Sequence, residues 1–286
     1  MTRQFGSPAA FKNAIEARLR TRAEELGAPY KTMQGKFVME RLLARLFHLD
    51  PPPWLLKGGF AMDLRFRPHA RTTNDIDLSV ALAAPRSRAL REQLQEAAAV
   101  DLGDYFTFRI GEPKRELTNA PGGGSRFPCE AVFAGKTYAK FHIDVGVGDA
   151  IVPDPERLTG EDLLGFAGIE PASVLAIPRV QQFAEKIHAY TFPRTDRINT
   201  RTKDLVDLVL LIERGLSGVD RLRFSLEATF ATRGTHPLPG ELPEPPESWK
   251  ADFGGMAEEA GLSTVECPGA FAILDRFWKD HSLGSP

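Results

Sequence analysis

The apolar residues of this chain repeat first with a helical period, then with a strand period, and finally with a helical period again. Residues 8–27 read as a helix stopped by Gly27, with Pro29 just beyond. Val38, Leu42 and Leu46, beside Met39, Leu43 and Phe47, give a second helix over roughly 32–48 a broad apolar stripe suited to a core. Pro51, Pro52 and Pro53 end it, because proline lacks the amide donor and disfavours helix in the residue before it. Trp54 to Lys57 form a short buried strand, Gly58-Gly59 turn it into a helix over 60–66, and Asp75 to Ala81 form the next strand. A helix over 86–99 follows, rich in Ala, Leu, Gln and Glu. Alternation then predicts strands over 105–110, 130–133 and 138–147, with Ala134-Gly135-Lys136 as a hairpin turn and 119–125 as a flexible loop. After Val152-Pro153 the strands are expected to stop. Helices are expected over 172–190, 200–214, 217–231, 250–262 and 268–281, with a proline-rich surface loop between Thr235 and Glu247.

This order predicts an α+β fold in three parts: an N-terminal helical segment over 1–50 packing on the core, a mixed-sheet core over 51–152, and a helical domain over 153–286. A chain of 286 residues is longer than one hydrophobic core usually supports. Its 42% apolar and 26% charged residues are ordinary for a soluble protein. Cys129 and Cys267 make neither a disulfide framework nor a zinc pattern. No signal-peptide pattern and no bilayer-length apolar run is present, so a cytoplasmic protein without a membrane partner is expected. The net charge of −2 points to no partner, but basic residues concentrate in 1–50 and 179–203. Such local surfaces suit a polyanion such as a nucleotide or RNA; solvated helix faces would give the same pattern.

The chemistry gathers around two strands. Asp75 and Asp77 share one face of theirs, since strand side chains alternate with period two. Two carboxylates on one face repel unless a cation lies between them. Asp144, flanked by Ile143 and Val145, shares its strand face with His142 and Gly146, and a third acid would complete a site for one or two hard cations. Magnesium carrying a nucleoside triphosphate is the natural occupant. Gly58-Gly59 would let backbone N–H groups face the phosphates where a side chain would block them.

The succession Gly-Gly, helix, Asp-x-Asp strand and later apolar-Asp-apolar strand resembles the DNA-polymerase-β-like nucleotidyltransferases. Leu-Lys-Gly-Gly at 56–59 is followed by Arg-x-Thr-x-Asp-Ile-Asp-Leu at 71–78 and Ile-Asp-Val-Gly-Val-Gly-Asp at 143–149. Ala-Glu-Lys-Ile-His-Ala at 184–189 and Asn-x-Arg-x-Lys-Asp-Leu-x-Asp-Leu at 199–208 complete the set. Together these motifs resemble the nucleotidyltransferase toxins of the AbiEii/AbiGii abortive-infection family, over about residues 30–215.

That resemblance implies a polymerase-β-like core and a helical C-terminal half closing over the triphosphate. It implies Mg2+ held by Asp75, Asp77 and Asp144, with Asp144 also the general base. Lys57, Gly58, Gly59, Arg71 and Thr73 would serve the nucleotide, Lys186 would neutralise triphosphate charge, and Asp204, with Asp207 as the less favoured candidate, would complete the C-terminal motif. Many relatives have Gly-Ser where this chain has Gly58-Gly59, so only backbone contacts remain at that point. Modification of Thr73 would set negative charge beside the carboxylates and shut the site off. His142 and His188 stay outside the metal set, since a lone histidine is more often structural.

The implied activity is transfer of nucleotides from an NTP to an RNA acceptor, the tRNA 3′ end foremost, by the toxin of a toxin–antitoxin or phage-defence pair. The implied partner is a separate antitoxin protein. Basic residues around Arg71, Arg194, Arg197 and Arg201 would receive the acceptor. Two rivals are a transferase acting on a small molecule such as an antibiotic, and a module that binds triphosphate without transferring it.

Overall fold

The computed structural model describes residues 7–49, 51–81, 87–117, 120–150, 153–194 and 199–284. It divides into two compact units, one formed by 1–64, 73–148 and 156–176, the other by 65–72, 149–155 and 177–286.

The first unit carries a single mixed sheet. Its strands are β1 (Trp54–Lys57), β2 (Asp75–Val80), β3 (Phe106–Ile110), β4 (Arg115–Glu116), β5 (Gly124–Phe133), β6 (Lys136–Val147), β7 (Glu156–Thr159) and β8 (Ser173–Ala176). They run in the order β3-β5-β6-β2-β1-β8-β7, with β4 pairing on β5. β2 is parallel to β6, and β1 is antiparallel to β2 and parallel to β8. The β5–β6 hairpin turns at Ala134 and Gly135, whose φ values of 47° and 83° lie in the left-handed region that tight hairpins need.

Helices α1 (Pro8–Glu25), α2 (Tyr30–Leu46), α3 (Gly58–Phe66) and α4 (Ser87–Ala98) intervene. α1 starts where the Ser7 side chain accepts a hydrogen bond from the Ala10 amide and Pro8 occupies the first turn. It buries Phe11, Ile15, Leu19 and Ala23, one residue per turn, into a core shared with Val38 and Leu42 of α2 and with Ile76, Leu78, Phe127, Ile143 and Val145 of the sheet. The edge strand β3 is closed by α4: Arg91 donates to the Ile110 carbonyl, and Gln95 both donates to the Phe108 carbonyl and accepts from the Ile110 amide.

The strands do not stop at Val147. β7 and β8 extend the sheet beyond β1, so residues 173–176, expected as the start of a helix, are a strand that buries Val174 and Ala176. The expected strand over 130–133 begins six residues earlier, at Gly124, leaving a turn at Ala120–Gly123 where a loop over 119–125 was expected; Asn119 lies outside the described residues.

Three of the nine Lys and Arg residues of 1–50 are spent inside this unit. Arg41 Nε and Arg45 Nη2 bind the fully buried Asp104 at 2.8 and 2.5 Å, and Lys36 Nζ lies 2.6 Å from the buried Asp63. Burial works to raise the Asp104 carboxyl, but the two guanidinium groups outweigh it and hold the group below its usual range. A polyanion-binding surface was one expectation here; these three cations are instead structural.

The second unit is helical: α5 (Arg179–Thr191), α6 (Thr202–Glu213), α7 (Leu222–Arg233), α8 (Lys250–Glu259) and α9 (Cys267–Asp280). α6 buries Leu205, Val206, Leu208, Val209, Leu210 and Leu211 completely, with Asp204 and Asp207 buried among them, so no single apolar stripe marks its core side. The segment 235–246 is irregular, as its prolines predict. Among the described residues no helix is long and apolar enough to cross a membrane.

Candidate active site

In the first unit the sheet register sets four charged residues in one transverse row. Lys57 on β1 stands opposite Asp77 on β2, Asp77 opposite Asp144 on β6, and Asp144 opposite Arg126 on β5. Residues opposite one another share a sheet face, so two carboxylates lie side by side with a cation-bearing residue at each flank. Asp75 is two residues from Asp77 and joins the same face. The other face carries Ile76, Leu78, Ile143 and Val145, all fully buried, which fixes the acids on the accessible side.

Arg126 holds this row together. Its Nε donates to Asp144 Oδ1 at 2.7 Å and its Nη2 to Asp144 Oδ2 at 2.6 Å, a bidentate fork, while Nη2 lies 3.4 Å from Asp75 Oδ2. The hydrogen bond to Asp144, and then the charges of Asp144, Asp75 and Asp77, push the guanidinium above its ordinary range. Thr73, nearly buried, donates from its hydroxyl to Asp75 Oδ1 at 3.1 Å.

The glycine turn meets the row at Asp77. Gly58 has φ +65°, and a Cβ built on it would stand 2.8 Å from the Asp77 Cβ and overlap the carboxylate. No L side chain fits. Gly58 and Gly59 also open α3, so their amides belong to the helix N-terminal set that lacks intrahelical acceptors.

Three carboxylates on neighbouring strands, beside a backbone turn that admits no side chain, are a donor set suited to a hard divalent cation. The Arg126 guanidinium stands among them as the resident positive charge. With Asp144 turned onto it, no three His, Cys, Asp or Glu side chains among the described residues come together in ion-holding geometry. The residue types fit magnesium; the side-chain arrangement is the one that a guanidinium stabilises.

In the second unit Lys186 of α5 is buried, and its ammonium lies 2.6 Å from Asp207 Oδ2 and 3.1 Å from Asp204 Oδ1, both on α6. Arg71 grips the same Asp207 through Nε at 3.0 Å and Nη2 at 2.8 Å. Burial favours the neutral form of Asp207, but Lys186 and Arg71 outweigh it and hold its carboxyl below the usual range. Burial works likewise against the Lys186 ammonium, and Asp207 with Asp204 lifts it above its usual value. Asp204 keeps one oxygen, Oδ2, buried and without a hydrogen-bond partner among the described residues, with Arg201 Nη1 at 3.6 Å.

The sequence favoured Asp204 over Asp207 and set Arg71 and Arg201 on an acceptor-binding surface. Asp207 is the acid on which two cations converge, and Arg71 is committed to it. Arg194 donates to the Ala189 and Phe192 carbonyls, and Arg197 lies outside the described residues. His188 Nε2 lies 2.9 Å from the Thr235 hydroxyl.

Arg126 was not anticipated at all. Its strand was expected to begin at Glu130, which left Arg126 outside any predicted element. Counting back from the hairpin turn would also have misplaced it. Val132 pairs with Thr137, but a bulge shifts the register so that Ala131 pairs with Ala139. Without that shift Arg126 would oppose the core residue Ile143.

Residues 41–276 match the family described as nucleotidyl transferase AbiEii toxin of type IV toxin–antitoxin systems. Among solved structures the chain is similar to MenT4, a nucleotidyltransferase toxin from Mycobacterium tuberculosis H37Rv, with TM-score 0.53 and 15% identity over 97% of this chain and 98% of that one. JHP933 from Helicobacter pylori matches with TM-score 0.43 and 14% identity over 89% of this chain and 97% of that one. No curated protein sequence matches the chain at a significant level.

Proposed function

The chain belongs to the AbiEii family of nucleotidyltransferase toxins of type IV toxin–antitoxin systems, and from that premise we propose that it transfers nucleotides from an NTP, with magnesium, to an RNA acceptor, the tRNA 3′ end foremost. The observation that carries this reading is the row Asp77–Asp144, joined by Asp75, beside the side-chain-free approach of Gly58. A module that only bound triphosphate would have no need of three acids on one face.

In this reading Asp75, Asp77 and Asp144 hold magnesium, which when bound supplies the positive charge that a triphosphate and an attacking oxygen both require. Asp144 takes the proton of the acceptor hydroxyl. The hydroxyl oxygen bonds to the α-phosphorus as the bond from that phosphorus to the bridging oxygen breaks, and pyrophosphate departs in line. The amides of Gly58 and Gly59, with Lys57, receive phosphate oxygens. Thr73 fixes the orientation of Asp75.

Lys186 and Asp204 enter the reading on family resemblance, Lys186 meeting triphosphate charge. Arg71, which the same resemblance gives to the nucleotide, is assigned through Asp207 to holding Lys186. The reading places the protein in the cytoplasm, where RNA and its antitoxin would be met, with phage defence as one setting for the pair.

The test is incubation of purified protein with each labelled NTP, magnesium and total RNA. Label on RNA that is lost in Asp75→Asn is the expected result. Label on a small molecule instead would move the acceptor to the rival class, and transfer that survives Asp75→Asn would overturn the site.

A further inference from the structure

We propose that Arg126 is the resident counter-cation of the carboxylate site, a positioning residue that competes with the divalent ion for Asp144. The inference rests on reading Asp75, Asp77 and Asp144 as the metal-holding acids. It adds a residue that the motifs do not contain.

Both oxygens of Asp144 are engaged by the Arg126 fork, at 2.7 and 2.6 Å. An ion coordinated by Asp144 must therefore displace at least one of these bonds. A guanidinium left nearby then repels the ion. Displacement and repulsion act in the same direction, so Arg126 weakens divalent-ion binding whether it leaves entirely or only turns aside.

Geometry allows the exchange. Arg126 is rooted on β5, a neighbour of the strand bearing Asp144, and its side chain is 34% exposed against 13% for Asp144. The guanidinium can swing into water while the carboxylate stays in place on β6. Without an ion, Arg126 offsets the repulsion among three acids on one face; with an ion, that task passes to the metal. A rim ion pair with only a structural role would leave ion affinity unchanged, and that difference separates the two possibilities.

The experiment is calorimetric titration of nucleotide-free protein with Mn2+, together with thermal melts with and without the ion. Wild type, Arg126→Gln, Arg126→Lys and Asp144→Asn are compared. Arg126→Gln is expected to bind Mn2+ about tenfold more tightly than wild type, equivalent to about 1.4 kcal/mol. Arg126→Lys, which keeps the charge but loses the fork, should fall between them. Metal-free Arg126→Gln should melt below wild type and gain more from Mn2+.

Equal or weaker binding by Arg126→Gln, with binding still lost in Asp144→Asn, overturns the role of Arg126 and leaves the metal site standing. Absence of Mn2+ binding in wild type, or binding unaffected by Asp144→Asn, overturns the metal reading and this inference with it. Should Arg126→Gln fail to fold, Arg126→Lys decides alone: tighter binding supports the proposal, and equal or weaker binding overturns it.

Discussion

Gly58 and Asp77 approach so closely that a Cβ on the glycine would overlap the carboxylate, and the glycine's φ of +65° is itself one that L side chains rarely adopt. Gly58→Ala must therefore move either the turn or Asp77, and both belong to the candidate site. We expect transfer activity to fall about 100-fold or more, roughly 2.7 kcal/mol of transition-state stabilisation. Gly123→Ala is the control, because Gly123 has φ +76° but open space where a Cβ would stand. It should lower stability by about 1–2 kcal/mol and leave activity intact. Activity assays and melts on both variants check this, and an active Gly58→Ala enzyme would show that the close approach is incidental.

Asp207 and Asp204 differ in what they support. Removing the Asp207 charge leaves Lys186 and Arg71 facing each other in a buried site, so Asp207→Asn should cost about 3–5 kcal/mol of stability. Asp204 receives one Lys186 hydrogen bond and a longer ion pair at 3.6 Å, and Asp204→Asn should cost only about 1–2 kcal/mol. Urea unfolding of both variants measures the ranking; equal losses would remove it.

The legible parts of this chain were those in which one rule acts alone. Strand alternation set Asp75 and Asp77 on one face of their strand and Asp144 on the polar face of its own, and the structure pairs the two strands so that Asp77 stands opposite Asp144, with Ile143 and Val145 buried behind. Helices α1 and α2 announced themselves through an apolar stripe and through glycine and proline stops. The short strands β7 and β8 did not, because their pairing is decided by a distant partner, as in Leu56 opposite Ala176.

Arg126 was hidden for a related reason. A single bulge between Ala131 and Val132 decides whether it faces the acids or the core, and a bulge is a tertiary choice that leaves no clear mark in the sequence. Likewise nothing in the charge counts of residues 1–50 shows that Arg41 and Arg45 close on Asp104 inside the fold. Charge counts record how many cations a segment has, not which of them meet a buried acid.

Thr73 gives a test of the site from its neighbour. Its hydroxyl donates to Asp75 Oδ1, so Thr73→Val should reduce transfer about threefold to tenfold by freeing that carboxylate, with little loss of stability. Thr73→Glu introduces a carboxylate next to three others and should abolish transfer, as modification of the hydroxyl would. Full activity in Thr73→Glu would remove Thr73 from the nucleotide-binding set.

Acid sensitivity should trace to His188. Burial above all, and then the charge of Arg233, push its imidazole down to about 3, from the usual 6.5. A folded-state value below the unfolded one means that the folded protein resists taking up the proton. This contribution to stability is complete above about pH 6.5 and is lost progressively as pH falls from there toward 3. Between pH 7.5 and 5.5 the loss should be about 1 kcal/mol. The carboxyl of Asp207, held below its usual range, adds its own loss only at lower pH, so the two are separable. His188→Phe keeps an aromatic ring beside Phe230 but cannot titrate and forgoes the Thr235 hydrogen bond. It should be less stable than wild type at pH 7.5 and show a shallower decline to pH 5.5, with a residual slope from His236, also depressed by burial first and by Arg194 second. Urea unfolding at both pH values decides the matter: an identical slope in the variant would mean that His188 titrates alike in the folded and the unfolded protein.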